Sequence, residues 1–430
     1  MKLGERRSIL KNLTASSYFV IRPPETAEEI EQYFRLNAET FRPDEDTVLV
    51  ASRRRRLIEL DPDFQLIQLR SAFYGKTYIG SYRMQERWLC VESIRLRIGC
   101  IGGVVTHQDY RHQGVATAMM KDAFAYAHRR QYSFLLLHGI PDYYHQHGFI
   151  DVIEDMPQHA IGRALIPDQP SERCFVRVAE LSDAATLLAL YVEHYGASMC
   201  TFAPTRTVAR QVHYLKNWFE DHLPLLAFNK EGKPEGYALL SRKREELSAY
   251  EVAANTWPAI LALLHSQNTV HEGELASQTE IYWPLPLTDA TYFHLADHLP
   301  MRSEIETFPD GGWMARMVSF SALVQSVLPL WQNRWQKHHS EWRGVLALVV
   351  DKERCTLELS PSRLRLVDRL SNEGQEVRFS QHGFTQLVFG FRPVSWAAIQ
   401  AGQHVPDELV PILDVLFPHK QSWIAGSDYF

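Results

Sequence analysis

The chain has 430 residues, 45% of them hydrophobic and 22% charged, a composition typical of a globular protein of two to four domains. Its 51 acidic and 45 basic residues give a formal charge of −6, which argues against a general nucleic-acid binder, and the basic run at 53–56 is expected to be a solvated helix face. The five cysteines are scattered and lack C-x-x-C spacing, so neither a disulfide framework nor a zinc site is expected, and a reducing, cytoplasmic location fits. No segment has the pattern of a signal peptide or a membrane span.

Turn and breaker signals divide the chain into three blocks, predicted at 1–160, 172–307 and 312–430. In the first block, "FVIRPPETAEEIEQYFRL" from Phe19 predicts a strand, a Pro-Pro turn and a helix with an acidic start, and "FQLIQLR" and "TYIGSYRM" predict further strands. The second block follows the linker "IPDQPSE", and its "FVRVAELSDAATLLALYVEHY" and "EGKPEGYALLSR" match the opening and the "YGKTYIGSYRM" stretch of the first. These matches predict a weak internal repeat.

The third block follows the break "FPDGG" and mixes helices with short strands. "SALVQSVLPLWQNRW" predicts a helix, and "VLALVV", "TLELS", "RLRLVD" and "EVRFSQ" predict strands separated by turns such as "SNEG". "GFTQLVFG", "VSWAAIQAG" and "DELVPILDVLF" predict helices at the end of the chain. The predicted fold class is therefore α+β, a mixed α/β protein, over the whole chain.

The stretch most informative about chemistry is "VVTHQDYRHQGVATAMMKDAFAYAHRR" at 104–130. A β-branched run leads into R-x-x-G-x-A, and an amphipathic helix follows with its apolar face on Val115, Met119 and Ala123. Unpaired N–H groups and the positive end of the dipole make a helix N-terminus an anion site, most often for phosphate. For so short a pattern, an equally good interpretation is that Gly114 only closes a tight turn.

The residues that follow favour the phosphate interpretation. "SFLLLHGIPDYYHQHGF" at 133–149 supplies a buried strand, a turn and Y-x-x-x-G-F beginning at Tyr144. The combination resembles the GNAT acyltransferases, in which V-x-x-x-x-R/Q-x-x-G-x-G/A binds the pyrophosphate of acetyl-CoA. The resemblance implies acetyl-CoA as co-substrate and Tyr144 as the acid for the departing thiolate. The cofactor-binding residues that it implies are Val104, Val105, Arg111, His112, Gln113, Gly114, Val115 and Ala116.

The resemblance extends to the whole chain. Two GNAT-like blocks, a third block similar to sterol carrier protein, "WMARMV" at the junction and a final phenylalanine together resemble the enhanced intracellular survival (Eis) acetyltransferases. This implies an N-acetyltransferase acting on primary amines of small polycations, such as aminoglycosides or polyamines, or on lysine side chains. It also implies a homo-oligomer, often a hexamer, and the C-terminal carboxylate of Phe430 as base. The apolar ending "WIAGSDYF" fits a docked tail.

The second block departs from this pattern at its own strand-to-helix corner. "YEVAANTWPAILALL" has Pro258 near the helix start and lacks R-x-x-G-x-A, so a second coenzyme site is not expected. The predicted organisation is a catalytic GNAT domain, a degenerate GNAT-like domain and a sterol-carrier-protein-like domain that supplies the carboxylate.

Alternative interpretations stay open for several residues. Tyr144 is a core tyrosine and Phe430 a packed terminus in the simplest interpretation, and His138, His145 and His147 lack the partners of a metal site. The acidic stretch "AETFRPDED" at 38–46 either attracts a cationic substrate or forms a solvated loop. For the whole chain, the alternatives are a carrier of lipids or other hydrophobic ligands and a GNAT-like scaffold without activity.

Overall fold

The computed structural model describes residues 19–169, 172–242, 247–270, 278–307, 310–339, 341–367 and 374–430. Five segments treated above lie partly outside these ranges. They are the first predicted block (1–18), the linker (170–171), the break "FPDGG" (308–309), the predicted strand "RLRLVD" (368) and the turn "SNEG" (371–373). The chain divides into two compact units. The first comprises 1–87, 97–137 and Phe430, and the second comprises 88–96 and 138–429.

The helices and strands are numbered in chain order. The helices are α1 (Ala27–Phe41), α2 (Thr47–Glu59), α3 (Val115–Arg129), α4 (Ala184–Tyr195), α5 (Val208–Asp221), α6 (Trp257–Val270), α7 (Ala290–His298), α8 (Phe320–His338), α9 (Gln381–Val388), α10 (Val394–Gln400) and α11 (Val410–Leu416). The strands are β1 (Phe19–Arg22), β2 (Leu69–Tyr74), β3 (Thr77–Val91), β4 (Ile94–Thr106), β5 (Phe134–Gly139), β6 (Ile150–Ile153), β7 (Gln158–Gly162), β8 (Cys174–Val178), β9 (Cys200–Thr201), β10 (His222–Asn229), β11 (Pro234–Ser241), β12 (Ala249–Ala254), β13 (Glu280–Pro284), β14 (Met301–Glu304), β15 (Gly312–Met317), β16 (Gly344–Val350), β17 (Glu353–Ser360), β18 (Arg363–Leu366) and β19 (Gln375–Phe379).

The first unit is a sheet with the strand order β1-β2-β3-β4-β5 and helices packed on it. β2 pairs antiparallel with β1 and β3, whereas β4 and β5 are parallel. α1 begins at Thr26, whose hydroxyl accepts a hydrogen bond from the main-chain N–H of Glu29 at 3.2 Å, as an N-cap should. The predicted strand "FQLIQLR" is only partly one, because a short 3₁₀ turn occupies 66–68 and β2 begins at Leu69.

The predicted inner face of α3 is buried, and it includes one charged residue. Val115, Met119 and Ala123 lie in the core as the spacing indicates. The carboxylate of Asp122 accepts hydrogen bonds from the Arg70 guanidinium, with both N···O distances at 3.0 Å, and from the Tyr82 hydroxyl at 2.6 Å. This pairing compensates the loss of water around the charge and ties α3 to β2 and β3.

Part of the second unit has the order of strands and helix that the predicted internal repeat requires. β8, β10, β11 and β12 are neighbours in that order, as β1 to β4 are in the first unit, and α6 follows β12 as α3 follows β4. β7 lies between β13 and β14 in a separate sheet of three strands. The shared order of strands and helix supports a duplicated arrangement.

The C-terminal part of the second unit has its own four-stranded sheet, ordered β18-β17-β16-β19, with β16 and β19 parallel. β15, which opens the predicted third block, pairs antiparallel with β6. The prediction of a mixed α+β fold is confirmed over the described residues. No helix within the described ranges is both long enough and apolar enough to cross a membrane.

Candidate active site

In the first unit, the parallel strands β4 and β5 separate partway along their length. Their ladder joins Ile98–Cys100 to Phe134–Leu136, but β4 runs on to Thr106. Gly103 follows within β4 with φ +59°, a conformation that L side chains rarely adopt, so β4 is locally distorted there. Val104 is half-buried and Val105 is buried. The main chain of β4 beyond Cys100 can therefore receive an extended ligand arm as a strand partner would.

The corner between β4 and α3 has the geometry of an anion-binding helix start. Gly114 is the residue before α3 and has φ +83°, and no side chain caps the helix at this point. Because α3 has 15 residues, its aligned peptide dipoles favour a negative group at the uncapped end. A side chain at position 114 would strain the main chain and crowd such a group.

The residues around this corner are open to solvent. Arg111, His112 and Gly114 are exposed, and Gln113 and Ala116 are half-buried, whereas Val115 packs inward. The Nε–H of Arg111 donates to the main-chain oxygen of Thr106 at 3.3 Å, which holds the guanidinium near the corner. All eight residues that the sequence predicts for the coenzyme thus lie on one continuous strand, turn and helix start in the first unit.

The last residue of the chain belongs to this unit as well. A Cβ built on Gly102 would lie 2.8 Å from a main-chain oxygen of Phe430 and 3.1 Å from its carbonyl carbon. The main-chain carbonyl group of Phe430 therefore lies directly against β4, one residue before the distortion at Gly103 and just past the end of the β4–β5 ladder. Glycine at position 102 permits this close approach.

Asn37 on α1 faces the same part of β4, and the sequence analysis did not single it out. Its amide donates to the main-chain oxygen of Tyr33 at 3.1 Å and to the hydroxyl of Ser81 at 3.3 Å. A Cβ on Gly103 would approach the Asn37 side-chain oxygen to 2.8 Å. The sequence does contain a signal for this contact, the pair Gly102 and Gly103 in a predicted strand. Glycine in a strand often marks a bulge or a close approach of another part of the chain.

Tyr144 lies in the second unit, at the start of a 3₁₀ turn over Tyr144–His147. Its ring packs edge-on against Tyr143, with centroids 4.8 Å apart, and against Phe149 at 6.0 Å. Only 8% of the residue is exposed, and this burial raises the pKa of Tyr144 well above its usual value. The hydroxyl consequently keeps its proton at neutral pH and can serve as a donor.

The chain just before Phe430 is held by an aromatic cluster in the second unit. The Tyr429 ring lies 4.8 Å from Trp313 and 5.2 Å from His138, centroid to centroid. His138 also lies 3.4 Å from a carboxylate oxygen of Asp155. Burial raises the pKa of Tyr429 to about 12. His138, at the end of β5, therefore contacts the tail.

The second block's own corner differs in a way that opposes phosphate. α6 starts at Trp257, and the Thr256 hydroxyl before it accepts weakly from the Ala259 N–H at 3.4 Å. The same hydroxyl donates to a carboxylate oxygen of Glu235 at 2.7 Å. A carboxylate beside a helix N-terminus already takes the place of an anion and repels another one.

The acidic stretch at 38–46 joins α1 to α2, and several of its carboxylates have local partners. Glu39 pairs with Arg35 at 2.9 Å, and Asp46 caps α2 by accepting the Leu49 N–H at 2.8 Å. In the basic run that follows, the Arg54 guanidinium lies over the Phe41 ring at 5.0 Å, so this run is not wholly a solvated face. Among the described residues, no group of three or more His, Cys, Asp or Glu side chains could hold a metal ion.

Comparison with known proteins agrees with this geometry. Residues 21–150 match the family described as acetyltransferase (GNAT) domain. No curated protein matches the chain significantly. A probable N-acyltransferase from Enterococcus faecalis, described as a conserved protein of unknown function, has a similar structure, with TM-score 0.72 and 16% identity over 96% of this chain and 99% of that one.

Two further solved structures match along nearly the whole length. A GCN5-related N-acetyltransferase from Kribbella flavida has TM-score 0.65 and 17% identity, covering 96% of this chain and 99% of that one. Eis1 from Mycobacterium abscessus has TM-score 0.62 and 15% identity, covering 96% and 100%. At these identities the structures show a shared fold. With the domain match, they place an acetyltransferase (GNAT) domain at residues 21–150 within a fold shared along nearly the whole chain.

Proposed function

We propose that the protein is an N-acetyltransferase of the Eis type, which transfers the acetyl group of acetyl-CoA to primary amines of small polycations or to lysine side chains. The observation that carries this proposal is the position of the Phe430 carboxylate against Gly102, in the unit that also contains the uncapped start of α3. A lipid carrier or an inactive scaffold needs neither feature.

The coenzyme has a suitable set of residues in the first unit. Arg111 and the N–H groups from Gly114 to Ala116 would hold the pyrophosphate, and the main chain at Val104 and Val105 would pair with the pantetheine arm. His112, Gln113 and Val115 complete the loop. A guanidinium and an uncapped helix start suit a doubly charged pyrophosphate because both favour negative charge without metal.

Acetyl transfer needs a neutral amine, a carbonyl beside it and a proton for the leaving thiolate. In this proposal the Phe430 carboxylate attracts the cationic amine and accepts its proton, directly or through water. Tyr144 supplies the proton to the thiolate. Since burial raises the pKa of Tyr144 above that of a thiol, which is near 8.5, this step is uphill and is made possible by the formation of the stable amide.

We extend the proposal to the organisation of the chain: a catalytic domain at 1–160, a degenerate GNAT-like domain at 172–307, and a sterol-carrier-protein-like domain at 312–430 that supplies the carboxylate. The separate sheet β18-β17-β16-β19 supports the last of these. We also expect a homo-oligomer, as in Eis-type enzymes, and a cytoplasmic location, to which five free and buried cysteines are suited.

The test has two parts. Isothermal titration with acetyl-CoA should show binding by the native protein and none by a double variant, Arg111→Ala with Gly114→Glu. A thiol-release assay with acetyl-CoA and either spermine or neomycin should then show turnover that a chain ending at Tyr429 loses. If the native protein does not bind acetyl-CoA, the corner between β4 and α3 has only a structural role. If the chain without Phe430 keeps full turnover, the Phe430 carboxylate has no part in the mechanism.

A further inference from the structure

Asp428, two residues before Phe430, takes part in a fully buried ion pair. In the second unit, Nη2 of Arg206 is 2.8 Å from Oδ2 of Asp428, and neither side chain has any solvent exposure. The Tyr191 hydroxyl donates to the same carboxylate, and the Arg206 guanidinium lies over the Tyr191 ring, 3.4 Å from its centroid. The carboxylate is thus held by two donors, and the Tyr191 ring covers the guanidinium that faces it.

The neighbouring tail residues are fixed by the same cluster. Nη2 of Arg206 also donates to the hydroxyl of Ser427 at 2.6 Å, and that hydroxyl donates to the carboxylate of Glu251. Glu251 accepts a second hydrogen bond from the Tyr237 hydroxyl at 2.5 Å, and its burial raises its pKa. The tail residue before Ser427 is Gly426, and its main-chain oxygen accepts a hydrogen bond from the Tyr250 hydroxyl at 2.6 Å. Three consecutive tail residues are therefore held by directional bonds.

Stability alone does not account for this arrangement. Apolar side chains of the same volume usually stabilise a core as well as a buried ion pair does, because the pair must give up its water. An ion pair with fixed hydrogen bonds also determines which residue of the tail lies opposite Arg206. A tail displaced by one residue would leave Arg206 buried without its partner. The residue whose register matters here is Phe430, which is attached to Asp428 through Tyr429 alone.

We propose that Arg206 and Asp428 are positioning residues, which hold the end of the tail in one register within the second unit and so limit where the Phe430 carboxylate can lie. This inference rests on the proposed function of that carboxylate. Two residues of chain reach at most about 7 Å, so an anchor at Asp428 confines the carboxylate to a small volume. Without the anchor the Tyr429 ring keeps its aromatic neighbours, but the tail loses the bonds that set its register and the carboxylate is displaced.

The test compares two substitutions of the same kind in the second unit. Asp428→Asn removes the charge that faces Arg206. The matched control is Asp289→Asn, because Asp289 is also buried and pairs with His194 at 2.8 Å but has no contact with the tail among the described residues. Both changes destabilise the unit, and only the first releases the tail. Tyr191→Phe, which removes one donor to Asp428, is the milder substitute if Asp428→Asn does not fold.

Two readouts separate positioning from general destabilisation. Carboxypeptidase A, which removes C-terminal aromatic residues, should release Phe430 at least about tenfold faster from Asp428→Asn than from the native protein or from Asp289→Asn. In the thiol-release assay with spermine or neomycin, kcat should fall at least about tenfold in Asp428→Asn, while the Kd for acetyl-CoA stays unchanged. Asp289→Asn should keep the native kcat.

A chain that ends at Tyr429 distinguishes the two proposals. If that chain loses turnover and Asp428→Asn matches Asp289→Asn in both readouts, the positioning role is wrong and the proposed function stands. If that chain keeps full turnover, the role of the carboxylate itself is wrong. The expected result is that the shortened chain loses turnover and that Asp428→Asn in the full-length chain differs from Asp289→Asn in both readouts.

Discussion

Replacing Gly102 with alanine tests how closely activity depends on the place of the terminal carboxylate. The added Cβ would lie 2.8 Å from the Phe430 oxygen, whereas ordinary van der Waals contact begins at 3.4 Å, so the carboxylate must move by at least 0.6 Å. A misplacement of about 1 Å at a reacting group costs roughly a hundredfold in rate, so a shift of this size predicts a loss of roughly tenfold in kcat. In barrier height this is about 1.4 kcal/mol.

The assay is thiol release from acetyl-CoA with spermine or neomycin, together with thermal unfolding and titration with acetyl-CoA. Gly102 has ordinary strand geometry in which alanine is tolerated, so any loss of thermal stability should come from the contact with Phe430. The control is the same substitution in a chain that ends at Tyr429, where no oxygen of residue 430 is present to be displaced. In that shortened chain alanine should change neither the melting temperature nor the Kd for acetyl-CoA. A native kcat in the full-length Gly102→Ala protein would refute the reasoning, because the displaced carboxylate would then make no difference to the rate.

Three further predictions concern other residues. Tyr144→Phe should lower kcat by about 10²- to 10⁴-fold with no change in the Kd for acetyl-CoA, and an unchanged kcat would remove Tyr144 as the acid. Titration should give one acetyl-CoA per chain, since Glu235 lies at the other helix start; a stoichiometry of two would contradict this. Burial alone would lower the pKa of His194, but its bonds to Asp289 and Asn255 outweigh burial and raise it. A raised pKa stabilises the fold fully below the ordinary value of about 6.5, and progressively less as the pH rises through the pKa of the folded protein. The melting temperature should therefore fall as the pH rises above about 6.5. Asp289→Asn should remove this pH dependence.

The parts of the molecule that the sequence predicts well are those set by local patterns. α3 and β4 follow from a 3.6-residue apolar spacing and a β-branched run, and the uncapped helix start follows from Gly114 between them. The repeat was visible as two similar strand-turn-helix openings, and the order of β8, β10, β11 and β12 agrees with it.

What the sequence does not predict depends on contacts between distant residues. Arg206 and Asp428 read as ordinary surface charges, since nothing in their neighbouring residues indicates full burial. The approach of Phe430 to Gly102 and of Asn37 to Gly103 likewise joins separate parts of the chain. The 3₁₀ turn before β2 was missed for a smaller reason: "FQLIQLR" has the alternation of a strand, but the Gln68 amide bonds back to the main-chain oxygen of Asp63 at 2.9 Å.

The pairing of Arg206 with the tail also determines when the second unit can finish folding. Ser427 lies 221 residues after Arg206 in the chain, and at about 5–20 residues per second a ribosome needs on the order of 10 to 40 s to make that interval. Throughout this time the guanidinium has only nearby partners such as Gln211 and the Tyr191 ring, and no Asp428 to meet. The buried contacts that the tail makes with α4 and β12 can therefore form only after synthesis has passed Asp428.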